Sequence, residues 1–140
     1  MLANEFTHAI DAKNRLFIPA KHREELGEEF IVTKDLREKC LKVYSLAGWE
    51  DYIAPIRKLE RKVYEKTMRL LHANAINVTP DAQGRVVLTP ALLEYAGIEK
   101  NAVIVGCGDW AEIWAEEVYH AVDEDLDAAE VLAALESCGL

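Results

Sequence analysis

The sequence predicts a mainly β fold with helices (α+β), built from two copies of one unit about a pseudo-two-fold axis. Three observations predict it. Residues 11–27 recur as residues 81–97 at an offset of 70, with five of the 17 aligned positions identical. Each copy is followed by two short apolar runs with a turn between them. The chain of 140 residues suffices for one compact domain or two very small ones, and is too short for a multidomain enzyme. A period of 70 is too long for a solenoid, so the two copies are read as one globule.

The elements follow in order. In the first copy a tight turn at residues 11–14 opens a short apolar strand, Leu16 to Ile18, which Pro19 ends. A short helix then runs to Gly27, the residue type that most cheaply takes the left-handed conformation at a helix end. Residues 30–33 and 41–44 read as strands around a turn at 35–39. The second copy repeats this: a turn at 81–84, a strand from Val86 to Leu88, then Pro90 and a helix stopping at Gly97. Its paired strands are residues 103–105 and 111–114, around a turn at 106–109. Asn14 and Gly84 hold the same turn position, and these two residue types best tolerate positive φ.

Between the copies, residues 55–73 read as one amphipathic helix. Ile56, Leu59, Val63, Thr67 and Leu70 form its stripe, with Arg57, Lys58, Arg61, Lys62 and Arg69 mostly opposite. Residues 123–127 open an acidic tail in which Leu126, Val131, Leu132 and Leu135 keep roughly helical spacing. The organisation is a first copy over 1–52, a connecting helix over 53–75, a second copy over 76–122 and a helical tail over 123–140.

The net charge of −9 is unevenly spread. Residues 1–70 carry 14 Lys and Arg against 12 Asp and Glu, and residues 71–140 carry 2 against 13. Binding follows the local field, so an acidic total leaves room for a basic face. Cys40, Cys107 and Cys138 are odd in number and form no CxxC pair, which fits a reducing compartment. With no long apolar run and no signal-peptide pattern at residues 1–8, the expectation is a cytoplasmic protein.

No catalytic constellation stands out, and the expectation is a protein that is not an enzyme and needs no metal or cofactor. The four histidines lack metal-ligand spacing, and no phosphate-binding glycine motif is present. Cys107, on the turn at 106–109, is the one nucleophile candidate, and its simpler reading is a bystander in a glycine hairpin turn. The stronger signal is the set of basic side chains around the duplicated turn. Lys13 and Arg15 flank its entry into the strand, with Arg23 on the helix behind. The second copy keeps Arg85 and has Gln83 in place of Lys13. An Arg fork can donate two hydrogen bonds to guanine O6 and N7, and Lys or Gln can reach phosphates or base edges beside it. Asp11 and Asp81 read as turn-formers that bond backbone N–H groups. For the basic connecting helix a solvated face and a phosphate or subunit contact both stand. Trp49, Tyr52, Trp110 and Trp114 read as core or interface anchors.

The doubled Asp-x-x-x-Arg turn, with Ile18-Pro19 and Arg23-Glu24 in the first copy, Leu88, Pro90 and Tyr95-Ala96-Gly97 in the second, and Glu112-Ile113-Trp114 after it, resembles the MraZ family over residues 1–122. That bacterial family carries two AbrB-type motifs in one chain. The resemblance implies a duplicated swapped-hairpin AbrB barrel and a ring-shaped homo-oligomer at the nucleoid. It also implies a transcriptional regulator acting on short promoter repeats upstream of the division and cell-wall gene cluster. It places the DNA contacts on Lys13 and Arg15 in the first copy and on Arg85 in the second. The sequence departs from the family pattern at Asn14 (usually Gly), His22 (usually an aromatic) and Leu93 (usually Arg). The rival reading, from another class, is a non-catalytic oligomeric scaffold whose basic helix and acidic tail bind proteins or join subunits.

Overall fold

A computed structural model describes residues 1–140. The chain is a mixed α+β fold with eight strands and six α-helices. The first half runs β1 (Glu5–Ala9), β2 (Arg15–Phe17), α1 (Ala20–Leu26), β3 (Phe30–Lys34), β4 (Leu41–Ser45) and α2 (Leu46–Ile53). A 3-10 turn (Ala54–Lys58) and α3 (Arg61–Ala73) connect it to the second half. There follow β5 (Ala75–Val78), β6 (Arg85–Val87), α4 (Pro90–Ala96), β7 (Asn101–Gly106), β8 (Ala111–Ala115), α5 (Glu116–Glu124) and α6 (Ala128–Ser137).

All strand pairings are antiparallel, in a six-stranded sheet of order β1-β7-β8-β4-β3-β5 and a separate β2-β6 ribbon. The order is the same from either end once each element is exchanged for its repeat. The first strand of each copy closes the hairpin of the other: β1 pairs with β7, and β5 with β3. The pseudo-two-fold axis passes between Lys42 and Glu112 in the sheet and between Leu16 and Val86 in the ribbon, since each of these residues faces its own repeat. The repeat offset is 70 in the ribbon and in β4 and β8, but 72 in β3 and β7, where Phe30 corresponds to Ala102. Two extra residues before β7 are compensated by a hairpin turn two residues shorter before β8.

One cluster of 20 buried residues draws on both copies, so the repeats share a single core. Leu16, Ile18, Val86 and Leu88 supply its ribbon side, and Phe30, Val32, Leu41, Val43, Ile104 and Ile113 its sheet side. A smaller cluster of Tyr44, Trp49, Ile53 and Leu71 holds α2 and α3 against β4. Trp49 and Trp114 are buried as anchors, whereas Tyr52 is exposed and Trp110 half-buried. Both short helices end at a glycine, but only Gly97 takes the left-handed conformation (φ +69°, ψ +27°), whereas Gly27 combines φ +92° with an extended ψ of −173°.

Two expected elements differ in detail. The connecting segment is not one helix from residue 55: Leu59 is extended, and Glu60 restarts the helix by accepting hydrogen bonds from the Lys62 and Val63 N–H groups. That carboxylate satisfies amide donors left open at a helix start. Leu71, with Met68 beside it, turns toward the core, whereas Leu59, Val63 and Leu70 of the expected stripe are exposed. The acidic run at 123–125 does not begin the tail helix. It ends α5, the repeat of α2, and Asp127 caps α6 by accepting from Ala129 and Glu130 N–H. Every residue from 121 to 140 is exposed.

The N-terminal segment is locked to the β7–β8 turn. Leu2 is buried, Leu2 N–H donates to Gly108 O at 3.0 Å, and Gly108 N–H donates to Leu2 O at 2.7 Å. Gly106 N–H donates to Asn4 O at 2.9 Å, and His22 Nε2 meets Ala3 O at 2.7 Å. His22 is itself buried, with the Phe6 ring edge-on to it at 5.3 Å. Gly106 has no room for a side chain: a Cβ there would lie 2.2 Å from Ala3 N and 2.5 Å from Leu2 C.

Candidate nucleic-acid interface

The two Asp-x-x-x-Arg turns are near copies in three dimensions. Asp11 Oδ1 accepts from Lys13 N–H and Arg15 N–H, and its Oδ2 takes Arg15 Nε at 2.7 Å. Asp81 repeats this with Gln83, Arg85 N–H and Arg85 Nε at 3.0 Å. Asn14 (φ +60°) and Gly84 (φ +81°) take the left-handed position that lets each turn close. Both aspartates therefore form the turns, as expected from their chemistry. Backbone N–H donation, led by Arg15 and Arg85 respectively, holds each carboxyl below its ordinary range. The turns thus keep their carboxylates at neutral pH and lose this bracing only on acidification below that range.

Each guanidinium is engaged through Nε, which leaves its terminal nitrogens without a hydrogen bond inside the chain. The β2-β6 register places Arg15 opposite Val87 and Phe17 opposite Arg85. Because side chains alternate across a strand, Leu16 and Val86 face the core, and Arg15, Phe17, Arg85 and Val87 share the outer face. Val87 is 59% exposed at its centre. From strand rise and spacing, the two arginine Cα atoms lie about 8 Å apart. Lys13 and Gln83 are exposed at the tips.

Arg23 serves the same ribbon from behind. Its Nε donates to Ile18 O at 2.9 Å, and its guanidinium lies 5.7 Å from the Phe17 ring centroid. It also occupies the space where a Cβ on Gly84 would be, 2.7 Å from Arg23 Cζ. In the repeat, Leu93 replaces this arginine and is buried in the core, and Asn14 stands where the second copy has Gly84. Arg23 against the Gly84 turn, with no cation at position 93, makes the two ends of the ribbon unlike. Phe17 and Val87 escape a search for charged residues, although the period-2 alternation of residues 15–17 and 85–87 carries their signal.

No other chemistry gathers elsewhere. No group of three or more His, Cys, Asp or Glu is placed to hold a metal, and no helix is long and apolar enough to cross a membrane. Burial, with Glu112 adding to it, pushes the Cys107 thiol up to about 11, so it is not an activated nucleophile. At pH 7.5, iodoacetamide is expected to label Cys107 roughly two orders of magnitude more slowly than an ordinary thiol. The exposed Cys138 provides the internal reference in peptide mass spectrometry. Equal labelling of the two would contradict this environment for Cys107.

The ribbon geometry can be set beside known proteins. The family model described as "MraZ protein, putative antitoxin-like" matches twice, at residues 1–72 and 71–137. A protein of Symbiobacterium thermophilum named Transcriptional regulator MraZ is 46% identical, over 86% of this chain and 88% of its own length. One of the same name from Carboxydothermus hydrogenoformans is 43% identical, over 86% and 85%. Another from Acetivibrio thermocellus is 37% identical over the full length of both chains.

Proposed function

The chain belongs to the MraZ family of transcriptional regulators, and from that premise we propose that it binds double-stranded DNA with the outer face of the β2-β6 ribbon. The observation that carries this reading is a pair of Asp-braced arginines on one exposed two-stranded ribbon. A B-DNA major groove is roughly 12 Å wide and admits such a ribbon. Arg15 and Arg85 present their free terminal nitrogens to guanine edges. Lys13 and Gln83 at the tips anchor phosphates, and Arg23 holds the Gly84 turn while adding positive charge beside Phe17.

One ribbon makes few base contacts, so the reading includes self-association into a ring that engages tandem promoter repeats by avidity. The two motifs occupy residues 1–52 and 76–122, with the connector at 53–75 and the tail at 123–140 outside the DNA face. The setting is the cytoplasm, at the nucleoid. Fluorescence anisotropy on duplexes with one, several or scrambled upstream repeats, across a salt series, tests this. Tandem repeats are expected to bind at least about 100-fold tighter than a single one. Affinity for scrambled DNA should be weak and fall steeply with salt. A second reading, an oligomeric scaffold without DNA readout, draws on the exposed apolar residues of α3 and α6. A stable oligomer that shifts no duplex even at low salt would favour it.

A further inference from the structure

Two helices at equivalent ends of the pseudo-two-fold fold are left with uncovered apolar faces. α3 follows α2, and α6 follows α5, the repeat of α2. On α3 and its lead-in, Leu59, Val63 and Leu70 are 44%, 49% and 52% exposed, while Leu71 alone of the helix is buried. Helical spacing sets Lys62, Lys66 and Arg69 along one border of this stripe. On α6, Val131, Leu132 and Leu135 lie on one face, all exposed, with Asp127 and Glu130 along one border and Glu136 along the other. Residues 54–73 hold six basic and two acidic side chains, whereas residues 123–140 hold six acidic and no basic ones.

A ten-residue helix that buries no residue of its own is marginal in water. Its apolar face calls for a cover, and the same chain carries a second apolar stripe, of opposite charge, at the pseudo-equivalent end. We infer that α6 is an intermolecular arm that docks on the α3 face of a second copy of this chain, Val131, Leu132 and Leu135 meeting Val63 and Leu70 while Glu130 and Glu136 meet Lys62, Lys66 and Arg69. The contact is heterologous, so each copy gives an arm at one end and receives one at the other. The inference rests on the self-association proposed above and names the surfaces that make it.

Charge reversal tests it on the full chain, by light scattering and native mass spectrometry. Variant A carries Lys62→Glu, Lys66→Glu and Arg69→Glu; variant B carries Glu130→Lys and Glu136→Lys. Each alone brings like charges together and is expected to fall to monomer mass. Mixed in equal amounts they are expected to recover the wild-type mass, in alternation, because the acidic α3 of A then meets the basic arm of B. All five positions lie on exposed helices, and far-UV circular dichroism confirms that both variants are folded. The inference is overturned if wild type is a monomer, if either variant keeps the wild-type mass, or if the mixture stays monomeric. Binding of monomeric variant B to a single-repeat duplex keeps the two ideas apart. Loss and recovery of assembly without any duplex binding would uphold the arm and remove the DNA reading. Duplex binding with assembly untouched by charge would remove the arm alone.

Discussion

Replacing Arg15 and Arg85 together by Ala is expected to weaken binding to tandem repeats by at least about 100-fold while leaving affinity for scrambled DNA within a few-fold of wild type. A bidentate guanidinium–guanine pair discriminates by about 1–3 kcal/mol, and both such pairs would be lost. The turns should survive, because Asp11 and Asp81 still accept the backbone N–H groups that shape them. Arg15→Lys separates charge from geometry: it keeps the cation and loses the fork, so specificity should drop with little change in salt dependence. Lys13→Ala, at an exposed tip, should instead weaken all duplexes alike and shallow the salt slope by about one. Arg61→Ala, on the connecting helix, should change little. Equal, mild losses from Arg15→Ala and Arg61→Ala would point to generic attraction and remove the ribbon from its assigned role.

The largest effect on stability is expected at Gly106. Gly106→Ala should cost about 4–6 kcal/mol, read from urea unfolding at matched protein concentration. The reason is contact with fixed backbone: the new Cβ would fall 2.2 Å from Ala3 N and 2.6 Å from Ala3 Cα. Residues 2–4 must move away, which exposes Leu2 and breaks the hydrogen bonds to Gly108 and Asn4. Reburial of a leucine is worth about 1.5–3 kcal/mol, and each hydrogen bond about 1 kcal/mol. The comparison residue is Gly108, two positions on, which has a positive φ of +88° but nothing within 4 Å of a Cβ. There Ala should cost only about 1–2 kcal/mol, the strain of the left-handed backbone. If Gly108→Ala proved the more damaging of the two, the N-terminal segment would not be seated as described.

The turns were legible in the sequence because their requirements are local. An aspartate four residues before an arginine, with Asn or Gly between them, leaves few other ways for the chain to fold. The outward placement of Phe17 and Val87 was equally local, but it lies in three-residue strands where alternation is brief. What local pattern could not carry was the exchange of β1 and β5. Residues 5–9 and 75–78 have weak apolar signals, and the partner of each lies in the other copy. The expected stripe over residues 56–70 is interrupted at Leu59 and left exposed at Val63 and Leu70, because periodicity alone does not say which row a neighbour covers. The body takes Leu71 and Met68 from an adjacent row. The shift of repeat offset to 72 in β3 and β7 likewise became visible only through pairing.

The pairing of Glu5 with Val105 has a bearing on how the chain is made. β1 leaves the ribosome well ahead of β7 and has no seat until that strand follows it. At roughly 5–20 residues per second, that is a wait on the order of 5–20 s. Throughout it the nascent strand is an open edge, and a neighbouring polypeptide on the same message could fill the gap in its place. Vectorial synthesis therefore keeps the first strand of one copy waiting until the hairpin of the other has been made.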